Sequence, residues 1–408
     1  MMEQKRVLFL WPPQPMFYGS IFKHITHIGE TIDYCLKNTT ASIDFLDAGV
    51  EMFPMKYIAT RFSECDVLVI YCETYTIEMS IKMARLAKQV NSDIRIIGYG
   101  KACCYMPHFF LKSGYFDAVV PNGLWEKPIR DFIVEEKEEK SALYLTSQGE
   151  YGKEYRLKPD EWGVPAISKL PIEKYFSLTN KRQLEICVNK GCPYNCTFCS
   201  EKFVYGKKEG RRTIESIIEY IEQTHDMCDQ YYFDATTFTY DKEWVKNLCD
   251  AISLLPYKVK WCSVTRLDEL TDELIDVMAQ AGCYRLSLGI ESLSNHIQSD
   301  VHKMIDSSRL LKVINKMNSV GIRPRLLLII GLPNQTKEDI LYTYNELNKL
   351  EVDVRFKEYA PYNDILNDES PMDVIRRFDR TTICNADTNI EGIDSETYTK
   401  LVFLDKGR

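Results

Sequence analysis

Cys192, Cys196 and Cys199 stand close together in the run Gly191-Cys-Pro-Tyr-Asn-Cys-Thr-Phe-Cys-Ser200. The spacing is C-x3-C-x2-C, and an aromatic residue directly precedes the third cysteine. Cysteine thiolate is the standard ligand of iron–sulfur clusters, so this loop can bind three irons of a [4Fe–4S] cubane and leave the fourth open to an external ligand. The alternatives are three free cysteines or a zinc site. A zinc site usually has paired C-x2-C knuckles and four protein ligands, and no second knuckle follows.

The same run resembles the cluster loop of the radical S-adenosylmethionine (SAM) superfamily, and the resemblance extends over roughly residues 180–365. It implies that the amino and carboxylate groups of SAM chelate the open iron. It also implies that one electron from the cluster cleaves SAM to methionine and a 5′-deoxyadenosyl radical.

Length and composition restrict the class of protein. A chain of 408 residues suggests about two to three domains. A net charge of −8 gives no electrostatic footprint for nucleic acid or membrane, and no apolar run approaches the ~20 residues of a membrane span. The N-terminus lacks the layout of a signal peptide. The 14 cysteines show no disulfide rhythm, which predicts reduced thiols and a cytoplasmic protein.

The first 140 residues alternate short apolar runs with amphipathic helical patterns, which predicts an α/β domain with a doubly wound, Rossmann-like parallel sheet. The predicted strands are 7–11, 42–46, 66–71, 93–98 and 116–120, and the predicted helices are 28–37, 76–90, 107–113 and 125–134. The charge run Glu135–Lys140 indicates a boundary. Residues 141–182 are predicted to form a connector.

A second series of strands and helices follows over residues 183–362. Six such units are too few for an eight-stranded barrel, and they suit the (βα)6 partial TIM barrel of the radical SAM superfamily. The predicted strands are 184–189, 230–233, 258–264, 284–289, 324–330 and 353–358, and the predicted helices are 214–225, 242–254, 272–281, 306–320 and 337–350. Residues 363–408 are predicted to form a small C-terminal segment.

Polar residues and glycines follow the predicted barrel strands, where barrel chemistry is located. The resemblance implies that Asp234 lies near the SAM amino group and that Glu291 binds the ribose, with Gly289 allowing close approach. It also implies that Gly331 belongs to the segment that packs on adenine. A guanidinium at Arg266 could bind the SAM carboxylate in a bidentate way. Each residue also has a structural alternative, such as a helix cap at Asp234.

The sixth strand ends with Lys357, Glu358 and Tyr359, which face the same predicted cavity and are the candidate catalytic residues. The alternative is a closing strand with an exposed polar edge.

The N-terminal domain resembles the cobalamin-binding domain of the B12-dependent radical SAM subgroup. The implied cobalamin contacts are Cys72, Thr74, Gly98, Gly100, Asn122 and Gly123. Alternatives are a sheet that binds another nucleotide ligand and a domain that has lost its cofactor. No Asp-x-His-x-x-Gly run is present, so base-off cobalamin without a histidine ligand is expected. His24 and His27 are the only histidines of the domain near a strand-end loop.

The two resemblances together predict a cobalamin-dependent radical SAM enzyme that methylates an unactivated carbon of a small-molecule substrate. Methylcobalamin would supply the methyl group, and a second SAM would restore it. An external reductant such as a flavodoxin- or ferredoxin-like protein is expected, with neither nucleic acid nor membrane as a partner. The alternative is a cyclisation, rearrangement, decarboxylation or aminocarboxypropyl transfer in which cobalamin is passive or absent. An iron–sulfur sensor is a further alternative.

Overall fold

The computed structural model describes residues 4–13, 25–135, 142–303 and 305–359, together with positions 370 and 373. These residues form two compact units. The first comprises the chain up to Lys181 together with Phe203–Gly206, and the second is built chiefly from Arg182–Lys202 and the chain from Lys207 onward. The predicted C-terminal segment, 363–408, lies almost wholly outside the described residues.

The first unit alternates strands with helices, as its hydrophobic pattern predicts. Its strands are β1 (Arg6–Trp11), β2 (Ser42–Asp47), β3 (Val67–Tyr71), β4 (Arg95–Tyr99), β5 (Ala118–Val119), β6 (Tyr144–Thr146) and β7 (Gly149–Tyr151). Its helices are α1 (Ile25–Asn38), α2 (Met55–Ser63), α3 (Ile77–Val90), α4 (Lys101–Tyr105), α5 (Pro107–Lys112), α6 (Glu126–Val134) and α7 (Ile172–Thr179).

The strands of this unit form one sheet in the order β2-β1-β3-β4-β5-β6-β7. The first five are parallel, and β3 is buried along its whole length because helices cover both faces of such a sheet. The prediction of a doubly wound parallel sheet is confirmed. The strand order reverses between β1 and β3, and a doubly wound sheet binds ligands at such a switch point, beyond the carboxyl ends of its strands.

The region predicted as a connector belongs to the first unit. Strands β6 and β7 form an antiparallel hairpin that extends the sheet beyond β5. Helix α7 is tied to β2, because the Tyr175 hydroxyl donates a 2.7 Å hydrogen bond to Asp47. The turn-forming residues of a polar stretch do not reveal strand pairing with distant parts of the chain. Residues 141–182 were therefore predicted only as a connector.

The second unit has six barrel strands, and helices follow the first five of them in the described residues, with one small extra ribbon. Its strands are β8 (Gln183–Cys187), β9 (Asn189–Lys190), β10 (Gly210–Arg211), β11 (Gln230–Asp234), β12 (Trp261–Arg266), β13 (Cys283–Glu291), β14 (Arg323–Ile330) and β15 (Asp353–Glu358). Its helices are α8 (Glu201–Val204), which runs into the segment assigned to the first unit, α9 (Ile214–Thr224), α10 (Lys242–Ser253), α11 (Asp272–Gln280), α12 (Asn295–Asp300), α13 (Ser307–Ser319) and α14 (Lys337–Leu347).

Six strands of this unit form an all-parallel sheet in chain order, β8-β11-β12-β13-β14-β15. Burial alternates along β14, since Leu326, Leu328 and Ile330 are buried while the residues between them are half-buried. One face therefore packs on helices and the other lines a more open interior. This arrangement confirms the predicted partial barrel. No helix among the described residues has both the length and the apolar character needed to cross a bilayer.

Side-chain hydrogen bonds cap the starts of four of the longer helices that follow the barrel strands. Thr213, Thr271 and Thr336 accept backbone N–H bonds at the starts of α9, α11 and α14. Asp241 caps α10 by accepting from the amide of Trp244 at 2.9 Å. The predicted helix-cap alternative for Asp234 is therefore wrong, because the cap is seven residues further along.

We expect Asp47→Asn to change how stability depends on pH. Burial raises the pKa of Asp47 to about 6, above its ordinary value of 3.8, and a rise of this size is worth about 3 kcal/mol. Because the pKa is raised in the folded state, Asp47 makes its full contribution to the free energy of unfolding below about pH 4. This contribution is lost as the pH rises through 6. The wild type should therefore lose stability relative to Asp47→Asn between pH 4 and 7, as measured by urea unfolding.

Tyr175→Phe is the matched variant. In the wild type, the Tyr175 hydroxyl donates to Asp47 and favours the charged form of the Asp47 carboxyl. Removing this hydroxyl should therefore enlarge the loss of stability above pH 6. If the free energies of unfolding of the wild type and Asp47→Asn change with pH in the same way, the raised pKa of Asp47 is contradicted.

Candidate active site

The cysteine loop begins at the carboxyl end of the first barrel strand, directly after β9. Cys196 is buried, and Cys192 and Cys199 are half-buried. Burial raises the pKa of the Cys192 thiol, and it raises the pKa of the Cys199 thiol to about 12; the neighbouring cysteines add to both effects. Bare thiolates are therefore disfavoured here, and bound iron would supply the positive charge they lack. This donor set and environment fit an iron–sulfur cluster.

The loop is joined to the segment that follows β11. The Asn189 side chain accepts from the amide of Thr236 at 2.8 Å and donates to the carbonyl of Thr237 at 3.2 Å. The Thr236 hydroxyl donates to the carbonyl of Gly191 at 2.7 Å. These bonds bring the strand end that carries Asp234 beside the start of the cysteine loop. The role of Asp234 near the SAM amino group stays a prediction.

Arg266, the last residue of β12, is held by Asp268. Its Nε and Nη2 atoms donate to the two Asp268 oxygens at 2.9 and 2.8 Å. The guanidinium carbon lies 3.9 Å from the ring centroid of Tyr194, and Nη1 lies 3.5 Å from the Cys196 sulfur. The predicted bidentate grip on a SAM carboxylate therefore cannot use the Nε–Nη2 edge, which Asp268 already occupies.

Tyr194 lies inside the cysteine loop and is itself anchored. Its hydroxyl donates a short hydrogen bond to Glu269, and the Thr239 hydroxyl donates to the other Glu269 oxygen at 3.0 Å. Burial raises the pKa of Glu269 above its ordinary value, and these two donors oppose that rise. The ring under Arg266 is thus fixed from both sides.

Glu291 ends β13 with a left-handed backbone (φ 65°), at a register shift between β13 and β14. Its carboxylate forms a buried ion pair with Lys303, 2.6 Å from oxygen to nitrogen. Gly289 is required here, because a Cβ at this position would lie 2.5 Å from the Lys303 nitrogen and 2.7 Å from Glu291 Oε1. The ring of Phe198, from the cysteine loop, lies 5.9 Å from the same nitrogen.

Lys303 was not predicted from the sequence. It stands 12 residues after Glu291, at the end of a polar stretch with no motif. Only a search for a cation opposite Glu291 would have suggested it. An ammonium has three donors, so Lys303 can bind Glu291 and still donate to an anionic group of a ligand.

The fifth and sixth strand ends are also defined. Gly331 has φ 85°, and its amide donates to the Gln335 side chain at 2.7 Å. Tyr359 packs against an apolar cluster that includes Leu332, and Lys357 is exposed. The side chain of Glu358 lies outside the described residues. The assignment of Lys357, Glu358 and Tyr359 to catalysis stays a prediction.

Aromatic rings crowd the carboxyl edge of the first unit's sheet. Trp11 and Tyr71, at the ends of β1 and β3, stack with centroids 5.1 Å apart. Tyr99 and Trp125 contact Tyr71 edge to face at 4.9 and 6.1 Å. The Tyr99 hydroxyl is buried and has no hydrogen-bond partner among the described residues. A polar group of a bound ligand would satisfy it.

Glu73 and Thr74 follow β3 and are buried at the same edge. Burial raises the pKa of Glu73, while the amide of Thr74, the Tyr71 hydroxyl and the charge of Lys101 oppose that rise. A buried carboxyl and an unsatisfied hydroxyl at the same strand-end edge suit a ligand that carries hydrogen-bonding groups. In this respect the strand ends fit a cofactor with amide side chains.

The glycines predicted to approach a corrin have other neighbours. A Cβ at Gly98 would lie 3.0 Å from the Phe116 ring, and one at Gly100 would lie 2.7 Å from the Cys72 carbonyl. A Cβ at Gly123 would lie 2.3 Å from the Tyr205 ring. Packing within the chain therefore explains these glycines, and a bulky residue at Gly98 would disturb the fold whether or not a cofactor binds.

The other predicted contacts on this edge have local roles. The thiol of Cys72 is buried and donates to the carbonyl of Ile70 at 3.5 Å, and the side chain of Asn122 accepts from the amide of Leu124 at 3.0 Å. His27 is buried against Trp125, with centroids 5.8 Å apart. His24 lies outside the described residues. The roles of Cys72, Thr74, Gly98, Gly100, Asn122 and Gly123 in binding cobalamin stay predictions.

The second unit contains most of a match to a known protein family. Residues 186–347 match a family described as the Radical SAM superfamily. The chain is 26% identical over 310 residues to an uncharacterized methyltransferase of Pyrococcus horikoshii, which covers 73% of this chain and 67% of that protein. Two further curated relatives are longer, and the chain spans 37% and 34% of their lengths.

Two solved structures share the fold across both units. TsrM of Kitasatospora setae, a radical SAM methyltransferase solved with cobalamin and a [4Fe–4S] cluster, matches with a TM-score of 0.72 at 16% identity; the match covers 87% of this chain and 75% of TsrM. OxsB, a cobalamin-dependent radical SAM enzyme solved with aqua-cobalamin and SAM, matches with a TM-score of 0.69 at 15% identity. That match covers 93% of this chain and 57% of OxsB.

Changing Cys192, Cys196 and Cys199 together to alanine should abolish iron binding. The reconstituted wild type should hold about four irons per chain, as expected for one cubane, and the variant should hold none. Iron and sulfide assays after anaerobic reconstitution measure this.

Cys228→Ala is the matched control, since it removes a half-buried thiol of the same unit outside the loop. It should keep its iron. A triple variant that still holds about four irons would show that the cluster is bound elsewhere.

Proposed function

We propose that this protein is a cobalamin-dependent radical SAM enzyme that methylates an unactivated carbon of a small molecule. The match of residues 186–347 to the Radical SAM superfamily supports the proposal. The observation that carries the proposal is the combination, in one chain, of the three-cysteine loop with a doubly wound sheet that has the fold of the TsrM and OxsB structures. A bound cluster and SAM would supply the radical, and a bound cobalamin the methyl group.

The SAM pocket is proposed at the carboxyl ends of the barrel strands. Glu291 is suited to accept from a ribose hydroxyl, and Asp234 to pair with the amino group. Lys303 is better placed than the Asp268-bound edge of Arg266 to pair with the SAM carboxylate. Gly289 leaves room beside this ion pair, and the turn at Gly331 offers backbone groups for adenine.

Cobalamin is proposed at the carboxyl edge of the first unit's sheet. Glu73 and the Tyr99 hydroxyl would bind its polar side chains, and the aromatic rings beneath them exclude water from the strand ends. No Asp-x-His-x-x-Gly run is present in the chain, and the ring of His27 is packed on Trp125. Base-off binding without histidine on cobalt is therefore proposed.

The proposed reaction balances when two SAM molecules and two electrons are consumed. The substrate hydrogen leaves in 5′-deoxyadenosine, the methyl group leaves S-adenosylhomocysteine behind, and methionine is the remaining product. The electrons require an external reductant, for which a flavodoxin- or ferredoxin-like protein is proposed. The 14 cysteines are scattered without a disulfide rhythm, which supports the proposal of a reducing cytoplasmic environment.

The test of function is anaerobic reconstitution with iron, sulfide and cobalamin, followed by incubation with reductant and methyl-deuterated SAM. Formation of both 5′-deoxyadenosine and S-adenosylhomocysteine is expected, together with a deuterated methyl group on the substrate drawn from metabolites of the genomic neighbourhood. Formation of 5′-deoxyadenosine with no methyl transfer would favour a radical SAM reaction of another outcome. No cleavage of SAM would favour a sensor.

We expect Glu291→Gln to weaken SAM binding. A hydrogen bond to a charged group is worth about 1.5–3 kcal/mol, which corresponds to roughly 10- to 150-fold in affinity. Glutamine keeps the shape of the side chain, so the barrel should stay folded beside Lys303. Equilibrium dialysis of SAM against the reconstituted protein measures the change.

Glu273→Gln, which neutralises an exposed carboxylate paired with Lys246, is the control and should bind SAM as the wild type does. Equal affinity in Glu291→Gln would remove Glu291 from the SAM site.

Bound cobalamin should lack an axial nitrogen. After reduction to cob(II)alamin, the paramagnetic resonance spectrum should show cobalt lines without nitrogen superhyperfine splitting, because no histidine or benzimidazole nitrogen reaches the metal. Splitting that disappears in His27→Ala would identify a histidine ligand and contradict the proposal. Failure to retain cobalamin at all would remove the methyltransferase assignment.

A further inference from the structure

We infer that Arg266 donates a hydrogen bond to the sulfur of the cluster ligand Cys196 and thereby raises the reduction potential of the [4Fe–4S] cluster. The inference rests on the proposed function only in requiring that the cluster is bound by the cysteine loop. It gives Arg266 a role that does not depend on SAM.

The first observation is the contact itself. Nη1 of Arg266 lies 3.5 Å from the sulfur of Cys196, and both residues are buried, each 8% exposed. Once the thiol is deprotonated by iron, its sulfur can only accept hydrogen bonds, and arginine can only donate them. The pair then becomes a charge-assisted N–H···S interaction.

The second observation is that the guanidinium has little freedom to turn away. Asp268 binds Nε and Nη2 with two bonds of 2.9 and 2.8 Å. Tyr194 lies under the plane of the guanidinium at 3.9 Å. With one edge and one face already engaged, Nη1 is the nitrogen that remains for Cys196.

The third observation is that the support under the arginine is part of the cluster loop. Tyr194 lies two residues before Cys196, and its hydroxyl is bound by Glu269. Glu269 in turn accepts from Thr239 at 3.0 Å. The end of β12 and the cysteine loop are therefore coupled, so that the N–H···S geometry is set by the fold before any ligand arrives.

The effect on potential follows from electrostatics. Reduction adds a negative charge to the cluster, and hydrogen bonds to cluster sulfurs stabilise the reduced form more than the oxidised form. The charge of Arg266 is buried against the sulfur, whereas the side chain of Asp268 is 46% exposed and better screened by water. The net influence at the cluster is positive, so the arginine favours reduction.

The chain contains a matched arginine–thiol pair away from the cluster. Nη2 of Arg285 donates to the sulfur of Cys262 at 3.2 Å, also in the barrel. Cys262 is not in the cysteine loop. Arg285→Gln therefore removes the same kind of contact from the same unit without touching a cluster ligand.

The experiment is a redox titration of the reconstituted full-length protein, followed by paramagnetic resonance of the reduced cluster in the absence of SAM. Arg266→Gln should hold as much iron as the wild type, and its equilibrium should shift about tenfold toward the oxidised form. For a one-electron couple, tenfold corresponds to about 59 mV. Arg285→Gln should leave the midpoint unchanged.

Two further variants keep the test decisive. Asp268→Asn retains an acceptor but removes a negative charge, so the midpoint should rise. Arg266→Lys retains the charge but loses the planar fork, and its midpoint should fall between those of Arg266→Gln and the wild type. If Arg266→Gln cannot hold iron, a raised midpoint in Asp268→Asn and a lowered midpoint in Arg266→Lys would still support the inference.

A midpoint equal to that of the wild type in iron-loaded Arg266→Gln and Arg266→Lys would overturn the inference. If the midpoint is unchanged but SAM affinity falls, Arg266 serves SAM and not the cluster. A wild type that assembles no cluster would be a failure of the proposed function, which is a distinct result.

Discussion

To bind a cluster, Cys192, Cys196 and Cys199 must carry negative charge at a strand end that is largely shielded from water. The surrounding barrel residues are arranged to compensate this charge. Burial disfavours the charged forms of Cys192 and Cys199, so positive charge has to come from bound iron and from nearby donors. Arg266 is a side-chain cation that the structure places against the sulfur of Cys196. The carboxylates Asp268 and Glu269 then hold that cation and its aromatic support in position.

A second compensated charge lies at the end of β13. Glu291 is buried, and burial of an isolated carboxylate would cost several kcal/mol. Lys303 offsets this cost at 2.6 Å, and Gly289 provides the space that the pair requires. Glu291 has a left-handed backbone at the register shift between β13 and β14. The irregular strand end thus carries a carboxylate whose charge is already balanced by a buried cation.

Most of the architecture could be predicted from the sequence, because strands and helices that alternate along a parallel sheet carry their own hydrophobic periods. Strand β15 was predicted with the bounds it has, and the five predicted helices of the barrel were within a few residues of α9, α10, α11, α13 and α14, whereas the short helices α8 and α12 were not predicted. The cysteine loop was recognisable because its function depends on local spacing. Strand ends such as Asp234 and Glu291 could be chosen because topology brings all carboxyl ends to one edge.

What could not be predicted depends on contacts between residues distant in sequence. Lys303 has no motif, and the Asp268 clamp on Arg266 is visible only in three dimensions. The internal packing around Gly98 and Gly100 is likewise not apparent from the sequence. The hairpin β6–β7 pairs with β5 across a polar stretch that looks like a linker. In each case the local sequence is compatible with a structural role and with a ligand-binding or linking role. The residues that lie nearby in the folded structure distinguish the two.

The hairpin has a consequence for the protein before its cofactors are loaded. Strand β5 is two residues long, and an open edge there would leave unpaired backbone groups beside a buried core. The antiparallel ribbon covers that edge and ends in β7, a strand of only three residues that begins with Gly149. Short, interrupted edges are poor templates for intermolecular strand addition. The ribbon therefore protects newly made apo-protein against edge-to-edge aggregation while iron and cobalamin are still being acquired.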